Sequence, residues 1–290
     1  MDGQLKLFVN HHRSQKQNVV NVASVPQRSP FRYPGGKTWL IPVVRKWLKQ
    51  TNNPKTLIEP FAGGGIVSLT AAFEGLADLI VMVEIDPEVA AVWEVIINGD
   101  YSWLANKIYS FELSAESAST ILNKKDKTIN EQAFSTILKN RIFHGGIITK
   151  GSGLIKKGEN GKGINSRWYP KTLRDRIMAI GHVKSKIRFV CGDAFEELEK
   201  VKNDTQTFSF IDPPYTIAGK RLYTHFDINH DALFDLTAGL RGKFMMTYDD
   251  TDEIRALVKK HCFDFRSVPM TTTHNIQKSE IIISDNFNWW

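Results

Sequence analysis

Four consecutive residues, Asp212, Pro213, Pro214 and Tyr215, follow directly on a short apolar run, 208–211. The two prolines lock φ and remove two N–H donors, so the turn holds a carboxylate, a carbonyl and an aromatic ring in one rigid array. Such an array suits a planar ring that carries an amino group. Asp212 and the Pro213 carbonyl accept its two hydrogens, and Tyr215 stacks on its face. At the carboxyl end of a parallel strand these groups point into the crevice where open α/β sheets bind ligands.

A second constellation lies upstream. The run 56–59 reads as a strand, followed by Pro60, Phe61, Ala62 and three glycines, Gly63, Gly64 and Gly65, before a helix opens at Ile66. Glycines let a backbone approach a bound nucleotide where a Cβ would collide. A further apolar run ends at Glu84, about twenty residues past the glycines, the spacing of a carboxylate that accepts hydrogen bonds from both ribose hydroxyls. The pair fits either a dinucleotide or an adenosyl cofactor, and three glycines also occur in plain turns. The final glycine of the dinucleotide fingerprint is missing, which makes nicotinamide the weaker choice.

The elements that must position these groups are legible as alternating strands and helices. Strands are expected at 56–59, 79–84, 187–190, 207–211, 244–248 and 281–284. Trp39, Leu40, Val43, Val44, Trp47 and Leu48 recur at helical spacing, as do Phe134, Ile137, Leu138 and Ile142. Alternation with apolar strands predicts a doubly wound, mostly parallel, Rossmann-like α/β sheet. The rhythm lapses between 107 and 186, where helical stretches lead into a glycine- and lysine-rich loop. That segment is expected to be an inserted helical and loop module that meets a ligand, between catalytic segments 30–106 and 187–290. Residues 1–29 read as a polar leader.

Composition bounds the rest. The 290 residues, 42% hydrophobic and 24% charged, suffice for one sizeable core. No apolar run is long enough for a membrane helix or a signal peptide, so an intracellular protein without membrane contact is expected. Cys191 and Cys262 are expected as buried thiols, and no metal site is expected. The net charge of +7 is unevenly spread: residues 1–50 hold nine basic and one acidic side chain, 139–188 hold thirteen and two, and the remainder carries −12. Two basic segments in an otherwise acidic chain point to nucleic acid.

These motifs, in this order, resemble the Dam-like adenine-N6-specific DNA methyltransferases (alpha group, D12 class) across residues 31–285. The run Phe31, Arg32, Tyr33, Pro34, Gly35, Gly36, Lys37 is similar to the family's amino-terminal motif. The resemblance implies that Tyr33 packs near S-adenosylmethionine and that Lys37 approaches its carboxylate end. Pro60, Phe61, Gly63 and Gly65 would form the methionine-binding loop, Glu84 would take the ribose, and Asp193 would accept from the cofactor's adenine. Asp212, Pro213 and Tyr215 would be catalytic, with Asp212 also beside the cofactor. Tyr223, Thr224, His225, Phe226, His230 and Asp231 either cover the target base or form a solvated loop. The stretch 279–285 is similar to the family's closing antiparallel strand.

Asn140-Arg141 followed by Gly145-Gly146 resembles the start of the family's target-recognition region. Arg141, Lys156, Lys157, Arg167 and Lys171 are the residues expected at double-stranded DNA, mostly on phosphate. The Phe-Asn-Val-Pro stretch of GATC-methylating relatives is absent, so GATC is not supported. The implied reaction is methyl transfer to N6 of a flipped-out adenine, in a restriction-modification or related DNA-marking system, and a cognate restriction endonuclease is a partner left open. Three readings stand beside it: methylation of cytosine N4, although those enzymes more often begin the tetrapeptide with Ser; RNA as substrate; and a non-catalytic DNA-binding relative.

Overall fold

The computed structural model describes residues 25–32, 35–148, 152–214, 228–271 and 277–290. Its strands are β1 (Thr56–Glu59), β2 (Leu79–Glu84), β3 (Ile187–Cys191), β4 (Thr207–Ile211), β5 (Phe244–Asp249), β6 (Asp264–Thr271) and β7 (Gln277–Ser284). They form one sheet in the order β3-β2-β1-β4-β5-β7-β6. The first five run parallel, while β7 lies antiparallel between β5 and β6. The expected mostly parallel, doubly wound α/β sheet is therefore present, closing strand included. The chain runs outward from β1 to β3 and then returns to place β4 on the other side of β1. Strand order thus reverses between β1 and β4, the place where ligands bind beyond the carboxyl ends of the strands.

Side chains alternate between two cores, as the two-residue period of a strand requires. Leu57, Ile80, Met82, Phe208, Phe210, Met245 and Ile282 face one core; Ile58, Val81, Val83, Ile211, Met246, Ile281 and Ile283 face the other. The first is covered by α1 (Ile41–Gln50), α2 (Ile66–Glu74), α3 (Pro87–Trp93), α4 (Tyr101–Ser110), α5 (Ala115–Asn123), α6 (Ile129–Ile142) and α7 (Pro170–Val183). The second is covered by α8 (Ala194–Val201), α9 (His230–Ala238) and α10 (Asp252–Lys260). Among the described residues no helix is long and apolar enough to cross a membrane.

The segment 107–186 was expected as an insertion. Its first boundary falls inside α4, and α6 and α7 bury Phe134, Ile137, Leu138, Leu173, Ile177 and Ile180 in the first core rather than standing apart from it. The end of the polar leader is also tied down. Val25 is buried, Arg28 lies 3.3 Å from Glu74, and the Ser29 hydroxyl donates to the Gly64 carbonyl at 2.5 Å. Both cysteines are exposed, against expectation. Cys191 ends an edge strand, and Cys262 takes a left-handed φ of 55° in the turn after α10. Strand β6 was not foreseen: it is an edge strand that carries Asp264 and Arg266 and contains Pro269, features that blunt sheet edges.

Trp47 of α1 anchors the first core. It is fully buried, stacked on Phe208 of β4 at 5.8 Å and packed against Trp289 near the C-terminus at 6.4 Å. Truncating an aromatic of this kind leaves a cavity costing about 3–5 kcal/mol. Trp47→Ala should lower the urea-unfolding free energy by about that amount, and a loss under about 1 kcal/mol would contradict its role as an anchor.

Candidate active site

A cavity of about 830 Å³ opens above β1 and β4. Parallel pairing puts Thr56 beside Thr207 and Ile58 beside Ser209, and neighbouring strands lie about 4.8 Å apart. The turn that leaves β1 and the turn that leaves β4 therefore emerge side by side. From the first come Glu59, Pro60, Phe61 and the three glycines, and from the second come Asp212 and Pro214, all lining the cavity. Glu84 at the end of β2 and Asp193 after β3 line it as well, as does Lys37. Pro213 is buried beside them. Of the residues expected at the site, Tyr33 and Tyr215 lie outside the described residues, and so do Tyr223, Thr224, His225 and Phe226.

The glycine turn is shaped from below. Gly65 has φ +63°, and a Cβ there would lie 2.6 Å from Met82 Cε and 3.0 Å from the Trp93 ring. Trp93 Nε1 donates to the Gly63 carbonyl at 2.9 Å. A side chain at Gly65 is disfavoured by this left-handed backbone and by the Trp93 ring beneath it, a constraint beyond the ligand's approach for which the glycines were expected. The effect on the cavity is the same: the turn lies flat and presents backbone.

Glu84 is buried, and both its oxygens take a backbone donor at 2.9 Å, Oε2 from Gly63 and Oε1 from Asp86. It therefore ties β2 to the glycine turn while lining the cavity. Burial pushes its carboxyl up to about 7. Glu59, the last residue of β1 and not foreseen as a site residue, is buried with Oε2 accepting from Ser68 N at 2.9 Å. Burial, with Asp212 and Glu84 nearby, pushes it up to about 8. Asp193 uses Oδ1 to cap α8, accepting from Phe195 N at 2.7 Å and Glu196 N at 3.2 Å.

Asp212 is held from behind. Its Oδ1 accepts from the Thr247 hydroxyl at 2.6 Å and lies 3.0 Å from Lys37 Nζ. Lys37 is 4% exposed, lies 3.7 Å from Glu280 and donates to the Gly35 carbonyl at 2.9 Å. Burial alone would lower the Lys37 ammonium, yet Asp212 and Glu280 more than offset that and raise it. Lys37 was expected to meet the cofactor's carboxylate, but its charge is directed at the protein's own carboxylates. Thr247, buried on β5, was missed because a threonine in an apolar strand carries no signal of its partner.

Of the residues expected at DNA, Lys156, Lys157 and Lys171 are exposed, and Lys171 pairs with Asp175 at 2.8 Å. Arg167 lines the cavity, half-buried. Arg141 is corrected: it is 5% exposed, its guanidinium donates to the Pro30 carbonyl, and it lines the cavity instead of an outer surface. The cause is its place on α6, whose face toward the core carries it inward. Asn140 beside it clamps the amino-terminal segment, accepting from Arg32 N and donating to Arg32 O, both at 2.9 Å, and donating to Gly146 O at 2.7 Å.

Comparison with known proteins places part of the chain in a known family. The family described as D12 class N6 adenine-specific DNA methyltransferase matches residues 33–142. The Type II methyltransferase M.MjaIII of Methanocaldococcus jannaschii is 25% identical over 226 residues, covering 70% of this chain and 75% of that one. Among solved structures, a precorrin-6y C5,15-methyltransferase from Geobacter metallireducens GS-15 aligns with 84% of this chain and 86% of its own, at 12% identity and a TM-score of 0.36. The fold class rests on the strand order described above.

The raised carboxyls carry a testable consequence. Glu59 and Glu84 keep protons in the folded protein that the unfolded chain releases above about pH 4.5. The contribution of these two carboxyls to the stability of the ligand-free protein is therefore fullest below that pH and falls as pH rises toward 8. Urea midpoints should drop across this window, and Glu59→Gln should shrink the drop. An identical pH profile in the variant would contradict the protonated state of Glu59.

Proposed function

We propose that this chain, which carries a D12 class N6 adenine-specific DNA methyltransferase region at residues 33–142, transfers a methyl group from S-adenosylmethionine to N6 of an adenine flipped out of double-stranded DNA. Adenine-N6 DNA methylation is the activity of the family matched. The observation that carries the full reading is the meeting of Asp212 and the triple-glycine turn in one cavity at the sheet's switch point.

The cavity's donor set fits the cofactor. Its wall includes Asp86, Asp193 and Asp212, which suit a ligand with a sulfonium and an ammonium, and the glycine turn leaves room for its adenosyl part. Glu84 would hold the ribose, Pro60, Phe61, Gly63 and Gly65 the methionyl side, and Asp193 the adenine. When bound, the cofactor supplies an activated methyl group.

The protein's own residues do the rest. The exocyclic nitrogen of adenine is a weak nucleophile because its lone pair is delocalised into the ring. Asp212 and the Pro213 carbonyl accept its two hydrogens, which favours a pyramidal nitrogen and stabilises the positive charge that grows there. Thr247 and Lys37 fix the rotamer of Asp212, so no reorganisation is needed as charge develops. Tyr215, next in sequence, supplies the stacking face for the extruded base, and extrusion costs a few kcal/mol. Lys156, Lys157, Lys171 and Arg167 meet DNA phosphate, since such contacts outnumber those to base edges.

Incubation with labelled S-adenosylmethionine and DNA, RNA or neither, followed by digestion, should yield labelled N6-methyl-2′-deoxyadenosine from DNA and no labelled nucleoside from RNA. Label in N4-methylcytosine, or only in RNA, would replace this reading. Asp212→Ala should abolish transfer while cofactor and DNA binding stay measurable, and normal turnover would remove its assigned role. Tyr215→Ala should slow transfer by about 5- to 150-fold, the equivalent of a lost base stack. Unchanged kinetics would exclude the stacking role.

A further inference from the structure

A strap of the amino-terminal segment runs along the glycine turn and carries arginines with it. Ser29 Oγ donates to the Gly64 carbonyl at 2.5 Å and accepts from Phe31 N at 3.1 Å. Arg176 of α7 donates to the Ser29 carbonyl at 3.0 Å, and Arg141 of α6 donates to the Pro30 carbonyl. Both guanidiniums are thus bonded to the strap that touches the turn, and both residues line the cavity together with Arg32 and Arg167. Neutral carbonyls account for these hydrogen bonds but leave the charge uncompensated. Among the described residues no carboxylate pairs with Arg32, Arg141 or Arg176.

Arg141 is the sharpest case. It is 95% buried by its 5% exposure, and its Nε is a buried donor without a partner. Burial and the neighbouring Arg176, Arg32 and Arg167 push its guanidinium down to about 9. A buried, unsatisfied donor on a cation costs several times what a neutral one does, and the arrangement persists where an anion completes it. The cation that the sequence offered for the cofactor's carboxylate, Lys37, is turned instead onto Asp212 and Glu280.

We propose that Arg141 and Arg176 form the subsite for the α-carboxylate of the cofactor's amino-acid portion, with Arg32 and Arg167 adding to the field. The inference rests on the cofactor reading above and deepens it. The guanidiniums of Arg141 and Arg176, both lining the cavity, supply the positive charge and donors, and their bonds to the strap hold them near the glycine turn. The cavity thereby offers both signs of charge: Asp86, Asp193 and Asp212 for the sulfonium and ammonium, and the arginines for the carboxylate.

Calorimetric binding of S-adenosylhomocysteine and of its decarboxylated counterpart tests this without turnover. Loss of charge-assisted hydrogen bonds should weaken the decarboxylated ligand by about 10- to 100-fold in the wild type. In Arg176→Gln that ratio should shrink at least threefold, chiefly through weaker binding of the carboxylate-bearing ligand, with Arg176→Lys recovering part of it. A ratio near one in the wild type overturns the proposal whether or not the variants fold. So does an unchanged ratio in a folded Arg176→Gln, including the case in which that variant weakens only DNA binding. Failure of S-adenosylhomocysteine to bind the wild type would remove the cofactor reading itself, a result distinct from a ratio near one.

Discussion

The site depends on a lysine ammonium placed where water cannot reach it. Lys37, 4% exposed, reaches Asp212 at the end of β4 and Glu280 on β7. Burying a charge is unfavourable unless partners surround it, and removing one partner from such a pair costs about 3–5 kcal/mol. The ion cluster therefore fixes several things together: the amino-terminal motif against the sheet, the antiparallel strand against its parallel neighbour, and the orientation of one carboxylate. With Thr247 also donating to the same oxygen, Asp212 has little freedom to turn away from the cavity. A rigid acceptor of this kind is what stabilisation of developing charge requires.

The rest of the fold brings a second surface to that carboxylate. Reversal of strand order between β1 and β4 makes two turns emerge side by side, one carrying glycines and the other the Asp-Pro-Pro sequence. Glu84 crosses from β2 to hold the glycine turn through Gly63, and Trp93 supports it from beneath. The same contacts that stabilise the loop leave Gly63, Gly64 and Gly65 lining the cavity. Helices α6 and α7, far from these strands in sequence, then wall the cavity with arginine through their bonds to the Ser29–Pro30 strap.

Much of this was legible in the residues themselves. Strand runs, the glycine turn, Glu84 and the Asp-Pro-Pro-Tyr sequence are local signals, each set by neighbours within a few positions. What escaped were pairings between distant segments. Nothing near Lys37 in sequence announces that Asp212 and Glu280 will claim its charge, and nothing near Arg141 shows that α6 turns it inward. Basic content alone suggested an outer DNA surface. The exposed cysteines and β6 were missed for a related reason: edge strands and left-handed turns depend on what lies beside them, not on apolar pattern.

One cavity must serve both cofactor and base. A crystal structure of the protein with S-adenosylhomocysteine tests this most directly. The ligand should lie across the Gly63–Gly65 turn, its ribose at Glu84 and its sulfur directed toward Asp212. A ligand bound at another surface, or one with its sulfur turned away from that carboxylate, would contradict the account.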